Sequence, residues 1–290
     1  MTLERLLAQG TEQLEQAEVP EAELNAWYLL QACFTGDHTS FTRSDYFLRK
    51  EEKASQEVCG RYQSFLRKRK TRMPLEYIIG HTEFMGLSFL VDENVLVPRQ
   101  DTETLVETVY PLCQGKRVLD LCTGSGCIGL SIGALGKPSE VVLSDLSQKA
   151  LRVAGENTVR LKKRLGNEWT ADVKVVCGDL FEPVCGIFDV IVSNPPYIES
   201  EVIPGLMPEV SKYEPRQALD GGADGLAFYR RITEEAPGYM EAGGILCFET
   251  GCEQGESVAS LMRERGFENV EIKKDLAGND RVVMGCFSSV

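Results

Sequence analysis

Histidine is nearly missing from this chain: its 290 residues hold two, His38 and His81. No Cys-x-x-Cys pair accompanies them, so neither imidazoles nor paired thiolates offer a zinc ligand set, and no metal is expected. Also absent is any run of about 18 apolar residues, which excludes a helical membrane span. The first residues, Met1-Thr2-Leu3-Glu4-Arg5, lack a basic segment followed by an apolar one, so the expected address is cytoplasmic. Positive charge is in deficit, with 31 Lys and Arg against 44 Asp and Glu for a net −13. That balance argues against a surface that tracks phosphates, and nucleic acid is not the expected partner. The local exception is Arg61 to Arg72, with six basic and no acidic residues, against five basic and eleven acidic in residues 1–60. The run reads as a solvated helix end or as a polyanion contact.

Cysteine, by contrast, occurs ten times, scattered through apolar segments from Cys33 to Cys286. These read as reduced, buried thiols rather than a disulfide framework. Length suits two domains. In residues 1–72 apolar side chains recur at helical spacing, as in Leu3, Leu6, Leu7 and Leu14, ahead of a break at Thr35-Gly36-Asp37. A further helix is expected from Lys50 to about Lys70, its basic end complementing the helix dipole. Residues 73–97 read as a linker built on a β-hairpin, because His81 to Val91 alternates and Met85-Gly86 supplies a turn. Residues 98–290 alternate short apolar strands with helices, the pattern of a mostly parallel sheet covered on both faces. Seven strands are expected near Arg117–Leu121, Glu140–Asp145, Val173–Cys177, Phe188–Ser193, Gly244–Glu249, Val270–Lys274 and Arg281–Phe287. No crossover helix fits between the last two, so they should pair antiparallel at one end of the sheet. The fold class is therefore α/β, a Rossmann-like sheet with an antiparallel terminal hairpin, preceded by an all-helical domain.

Three strand ends converge on one kind of ligand. Cys122, Thr123, Gly124, Ser125 and Gly126 form a Gly-rich turn into a helix, where unpaired N–H groups suit a pyrophosphate or an amino-acid carboxylate. Asp145 closes the next strand, placed to take both hydroxyls of a ribose. Asp179, followed by Leu180, ends the third, where an adenine amino group would be met. NAD and S-adenosylmethionine both satisfy this pattern. Asp120 favours the second, since a carboxylate beside the loop repels a pyrophosphate and attracts a sulfonium with its ammonium.

At the fourth strand end stand Asn194, Pro195, Pro196 and Tyr197. Two prolines stiffen the backbone and donate nothing, leaving carbonyls to accept, and Asn194 adds a side-chain carbonyl. Two aimed acceptors suit a planar nitrogen nucleophile whose lone pair is delocalised: held by both N–H groups, it attacks a methyl group without a strong base. Tyr197 offers a ring face for a flat amide or base.

Taken with Pro74-Leu-Glu-Tyr-Ile-Ile-Gly80, Glu83 to Phe89, Val95 to Glu103, Tyr213 to Leu219 and Gly278-Asn-Asp-Arg-Val282, the chain resembles the PrmC/HemK family of release-factor glutamine methyltransferases over nearly its whole length. The resemblance implies a helical domain that docks the protein substrate and a methyltransferase domain that uses S-adenosylmethionine and releases S-adenosylhomocysteine. It implies methylation of the side-chain amide N5 of Gln in the Gly-Gly-Gln motif of class-1 peptide chain release factors, in translation termination. By position, residues 122–126, Asp145, Asp179, Leu180 and Asn194 bind the cofactor, Asn194 to Tyr197 hold the glutamine, and Arg99 and Glu103 roof the site. Cys122 stands where the family commonly has Gly, Gln100 where it often has Pro, and Leu180 where it often has an aromatic ring. The alternative is a nucleic-acid exocyclic-amine methyltransferase using the same tetrad.

Overall fold

The computed structural model describes residues 1–34 and 41–288. His38 and the expected break at Thr35-Gly36-Asp37 lie outside them. The chain forms two units, Met1–Gly80 with Met207–Tyr213, and His81–Leu206 with Glu214–Val290. Among the described residues no helix is long and apolar enough to cross a membrane.

The first unit packs α1 (Leu3–Glu15), α2 (Ala22–Ala32), α3 (Arg43–Arg49), α4 (Gln56–Lys70) and α5 (Leu75–Ile79) around one apolar cluster. Leu3, Leu6, Leu7 and Leu14 form the buried stripe of α1, as their spacing predicts. The helix expected from Lys50 begins instead at Gln56, because Ser55 caps it, its hydroxyl accepting from the Val58 N–H at 3.2 Å. The expected end of the helical domain at residue 72 is also corrected. Pro74 precedes α5, whose Ile78 is buried in the helical core, and Gly80 stops it at φ +90°.

The basic run is divided by its partners. Arg69 is buried and, with Arg72, clasps Glu209 of the short helix Pro208–Tyr213 at 2.6–2.9 Å. Burial alone would raise the Glu209 pKa, yet the hydrogen bonds from Arg72 and Arg69 leave it lowered. Arg67, Lys68 and Lys70 are exposed, as a solvated helix end requires.

The second unit opens with the hairpin β1 (His81–Phe84) and β2 (Leu87–Leu90). Met85 and Gly86 both take positive φ, the two-residue turn that matches strand twist. The hairpin is no linker: Phe84, Leu87 and Phe89 are buried in the core of this unit, at about 1.5–3 kcal/mol for each large side chain. Seven strands follow, β3 (Arg117–Leu121), β4 (Glu140–Asp145), β5 (Asp172–Cys177), β6 (Phe188–Ser193), β7 (Met240–Glu249), β8 (Phe267–Lys274) and β9 (Asp280–Phe287). Their order is β5-β4-β3-β6-β7-β9-β8, with β9 antiparallel to both neighbours and the rest parallel. β3 is buried on both faces from Val118 to Leu121, as a central parallel strand covered by helices must be. The covering helices are α6 (Glu103–Val109), α7 (Cys127–Leu135), α8 (Gln148–Leu165), α9 (Ala227–Glu235) and α10 (Gly255–Glu264). Order reverses at β3, with β4 on one side and β6 on the other, so the carboxyl ends of these strands flank the crevice where such sheets bind ligands.

Candidate functional site

At that crevice lies a cleft lined by Cys122, Thr123, Gly124 and Ser125 from the loop after β3, Asp145 after β4, Asp179 and Leu180 after β5, and Asn194 and Pro196 after β6. Residues scattered over the sequence are thus gathered by strand order alone.

The loop is held from beneath. Asp120 is fully buried, and its Oδ2 accepts from the Thr123 hydroxyl at 2.6 Å and the Gly129 N–H at 2.9 Å. Oδ1 has no partner, and burial pushes the carboxyl up to about 7 against those two bonds. Gly129 is required there: a Cβ would stand 2.5 Å from Leu143 Cδ2 and 2.9 Å from Asp120 Oδ2. Cys122 adopts φ +58°, a left-handed conformation natural to Gly, which accounts for the family's usual residue at this position. Burial of its thiol pushes the pKa up. Asn157, missed in the sequence, ties three parts together, donating to the Ser125 and Leu90 carbonyls at 2.9 and 3.1 Å and accepting from the Leu90 N–H at 2.7 Å.

Asp145 accepts from the Gly124 N–H through Oδ2 at 2.9 Å and from the Ser147 N–H through Oδ1 at 2.8 Å, so each oxygen keeps a lone pair for a ligand hydroxyl. Burial nonetheless raises its pKa. A Cβ on Gly124 would meet nothing within 4 Å, leaving open space above the loop. Open backbone, a ribose-competent carboxylate and the apolar Leu146, Leu180 and Phe228 on the same walls suit an adenosyl ligand with an amino-acid tail. Asp179 lines the cleft beside Leu180, and its carboxylate is paired with Arg231 at 2.8 and 3.1 Å.

The far wall carries Asn194, whose Nδ2 donates to the Thr102 hydroxyl at 3.5 Å. Tyr197 does not line the cleft. Its ring packs against the core cluster that includes Tyr229 and Phe248, and burial raises its hydroxyl to about 12. Gln254, also missed, fixes the backbone at this point, donating to the Tyr197 carbonyl at 3.0 Å and accepting from the Gly251 N–H at 3.1 Å. Arg99 lines the cleft and is bound through Nη2 to both oxygens of buried Glu214 at 2.7 and 2.8 Å. Glu103 is not in the lining, contrary to its expected place in the roof. Its carboxylate accepts from the Met85 N–H at 2.6 Å, fastening the hairpin turn to α6. Glu249 had no sequence signal beyond being an acid at the end of an apolar strand, and Glu214 stood inside the Tyr213 to Leu219 block without being singled out.

Both units have counterparts among known proteins. The PrmC N-terminal domain profile matches residues 5–80, close to the observed helical unit, and the methyltransferase small domain matches residues 99–207. The release factor glutamine methyltransferase of Clostridium botulinum is 39% identical over 290 residues, 98% of this chain and 98% of that protein. The protein of the same name from Clostridium acetobutylicum is 44% identical over 229 residues, 77% of this chain and 78% of its own length. A methyltransferase structure from Pyrococcus furiosus superposes with a TM-score of 0.52 at 20% identity, covering 70% of this chain and 90% of that one, a likeness of fold alone. By its sequence identity over almost its full length, the chain belongs to the family of release factor glutamine methyltransferases.

Proposed function

We propose that this protein methylates the side-chain amide N5 of the Gln in the Gly-Gly-Gln motif of class-1 peptide chain release factors, using S-adenosylmethionine, in the cytoplasm. The observation that carries the reading is the shared cleft: Asn194 and Pro196 after β6 face the same space as the glycine loop after β3 and Asp145 after β4. When bound, S-adenosylmethionine supplies an electrophilic methyl group on a sulfonium. Residues 122–126 would hold its amino-acid end, Asp145 its ribose hydroxyls, and Leu146 and Leu180 the faces of its adenine.

The chain's own contribution is positional. The Asn194 side-chain carbonyl and a main-chain carbonyl of the Pro195-Pro196 turn accept the two N–H groups of the substrate amide. Holding both turns the nitrogen lone pair toward the methyl group, so orientation and fixed dipoles supply most of the acceleration. Gln254 and the packed Tyr197 ring keep that turn from yielding. Arg99, steadied by Glu214, borders the cleft from above. The helical unit is the docking surface for the factor, with Arg67, Lys68 and Lys70 as exposed cations available to it.

The test is mass spectrometry of a class-1 release factor after incubation with this protein and S-adenosylmethionine, beside a factor whose motif is Gly-Gly-Ala. One added methyl on the Gly-Gly-Gln peptide, absent from the control, is the expected result. Transfer to a nucleic-acid amine with none to the factor would overturn the reading.

A further inference from the structure

Glu249 ends β7 on the protein side of Asn194. It is 1% exposed, and its Oε2 meets no hydrogen-bond donor. A carboxyl buried with one oxygen unpaired is costly to keep, so its position calls for a reason. Strand register sets Glu249 beside Asn194, one step beyond the Ser193–Phe248 pair, and the polar side chains of Thr102 and Asn194 favour its ionised form. Thr102 in turn lies 3.5 Å, Oγ1 to Nδ2, from Asn194.

A hydroxyl owns one proton. Once Thr102 gives it to an ionised Glu249, the Thr102 oxygen can only accept, and the carboxylate itself can only accept. Both neighbours therefore demand the NH2 end of the Asn194 amide. We propose that Glu249, working with Thr102, is a positioning residue that sets the polarity of Asn194, drawing its NH2 inward and leaving Oδ1 as the acceptor offered to the substrate amide. The inference deepens the reading above and rests on Asn194 being the glutamine holder.

Protonating Glu249 undoes the arrangement. A neutral carboxyl has a proton to give, the chain can run backwards, and an outward NH2 would meet the substrate's NH2 donor to donor. Burial pushes Glu249 up to about 7, opposed by the neighbouring Thr102, the Arg281 charge and Asn194, and aided by Asp101. The groups facing it are Arg281 on β9, Asp101 in the turn before α6, Tyr197 after β6, Tyr229 on α9 and Cys127 opening α7. Arg281 is the cation among them, and it is already paired with Asp101 and Asp275 at 3.1 Å.

The experiment is single-turnover methyl transfer to an intact release factor between pH 6 and 9, with S-adenosylhomocysteine affinity measured separately by calorimetry. Glu249→Gln and Thr102→Val are each expected to slow transfer by about 10–100-fold at pH 8, the scale of a misplaced reacting group. Affinity for S-adenosylhomocysteine should stay within about threefold, and the double variant should be little slower than either single, because both cut one chain. Thr102→Ser should recover most of what Thr102→Val loses. Wild-type rate should fall as pH drops from 8 to 6, a dependence that Glu249→Gln lacks. If Glu249→Gln does not fold, Thr102→Val carries the test. Transfer by both variants within about threefold of wild type, with Asn194→Ala still slow, overturns the inference. Should Asn194→Ala itself keep the wild-type rate, the glutamine-holding reading fails and this inference with it.

Discussion

The two walls of the cleft are made differently. The cofactor wall is largely local: residues 120–129 fold on themselves, with Asp120 reaching Thr123 and Gly129, while Asp145, Asn157 and the Ser144 and Ser193 groups brace them from neighbouring elements. The Asn194 wall is assembled from distance, with Thr102 from 92 positions before and Gln254 from 57 positions after the residues they hold. Local turns present backbone N–H groups whatever the rest of the unit does, whereas an aimed side-chain carbonyl needs an outside frame. Binding and chemistry should therefore be separable by mutation.

Asn194→Ala should show the largest effect, a loss of transfer of about 10²–10³-fold with cofactor affinity nearly unchanged, read by single-turnover kinetics beside calorimetry. Equal loss of both would mean that the walls are not independent. Next comes Asp145→Asn, whose amide can no longer accept at both oxygens; cofactor affinity should fall about tenfold, while transfer at saturating cofactor stays close to wild type. A matching collapse in saturated transfer would break the distinction from the other side.

Much of this division follows from what a sequence displays. The glycine loop, Asp145 and Asn194 were legible as cleft residues because each stands at a strand end, and the strands announce themselves by apolar runs; Tyr197, in the same string as Asn194, packs into the core instead. Glu249 was invisible as a neighbour of Asn194, since it ends its own strand as an acid ordinarily meets solvent, and only the β6–β7 pairing brings it there. Glu103 misled for the opposite reason. It sits in a conspicuous string beside Arg99, yet one helical step turns its carboxylate to Met85 and away from the cleft. The hairpin was correctly located but misjudged as a linker, because alternation reveals a buried face without saying which core buries it.

The smallest expected effect is on stability and concerns the buried Asp120. Its pKa is raised by burial to about 7, so its contribution is full below the usual carboxylate range and is lost as pH rises toward and through 7. Wild type should lose urea resistance between pH 5 and 8 more than Asp120→Asn, whose side chain stays neutral while its carbonyl still serves Thr123 and Gly129. Parallel curves for the two proteins would show that Asp120 is already neutral, or already compensated, throughout that range.

The helical unit borrows a segment from far down the chain, and that loan sets a timetable for synthesis. Arg69 and Arg72 leave the ribosome 140 and 137 residues before the Glu209 that neutralises them. At roughly 5–20 residues per second, the wait is on the order of ten seconds. During that interval the nascent helices carry two cations facing an unfilled place, while strands β3 to β6 emerge behind them. What comes first off the ribosome is thus finished late, and a fragment cut at Gly80 would stay permanently at that incomplete stage.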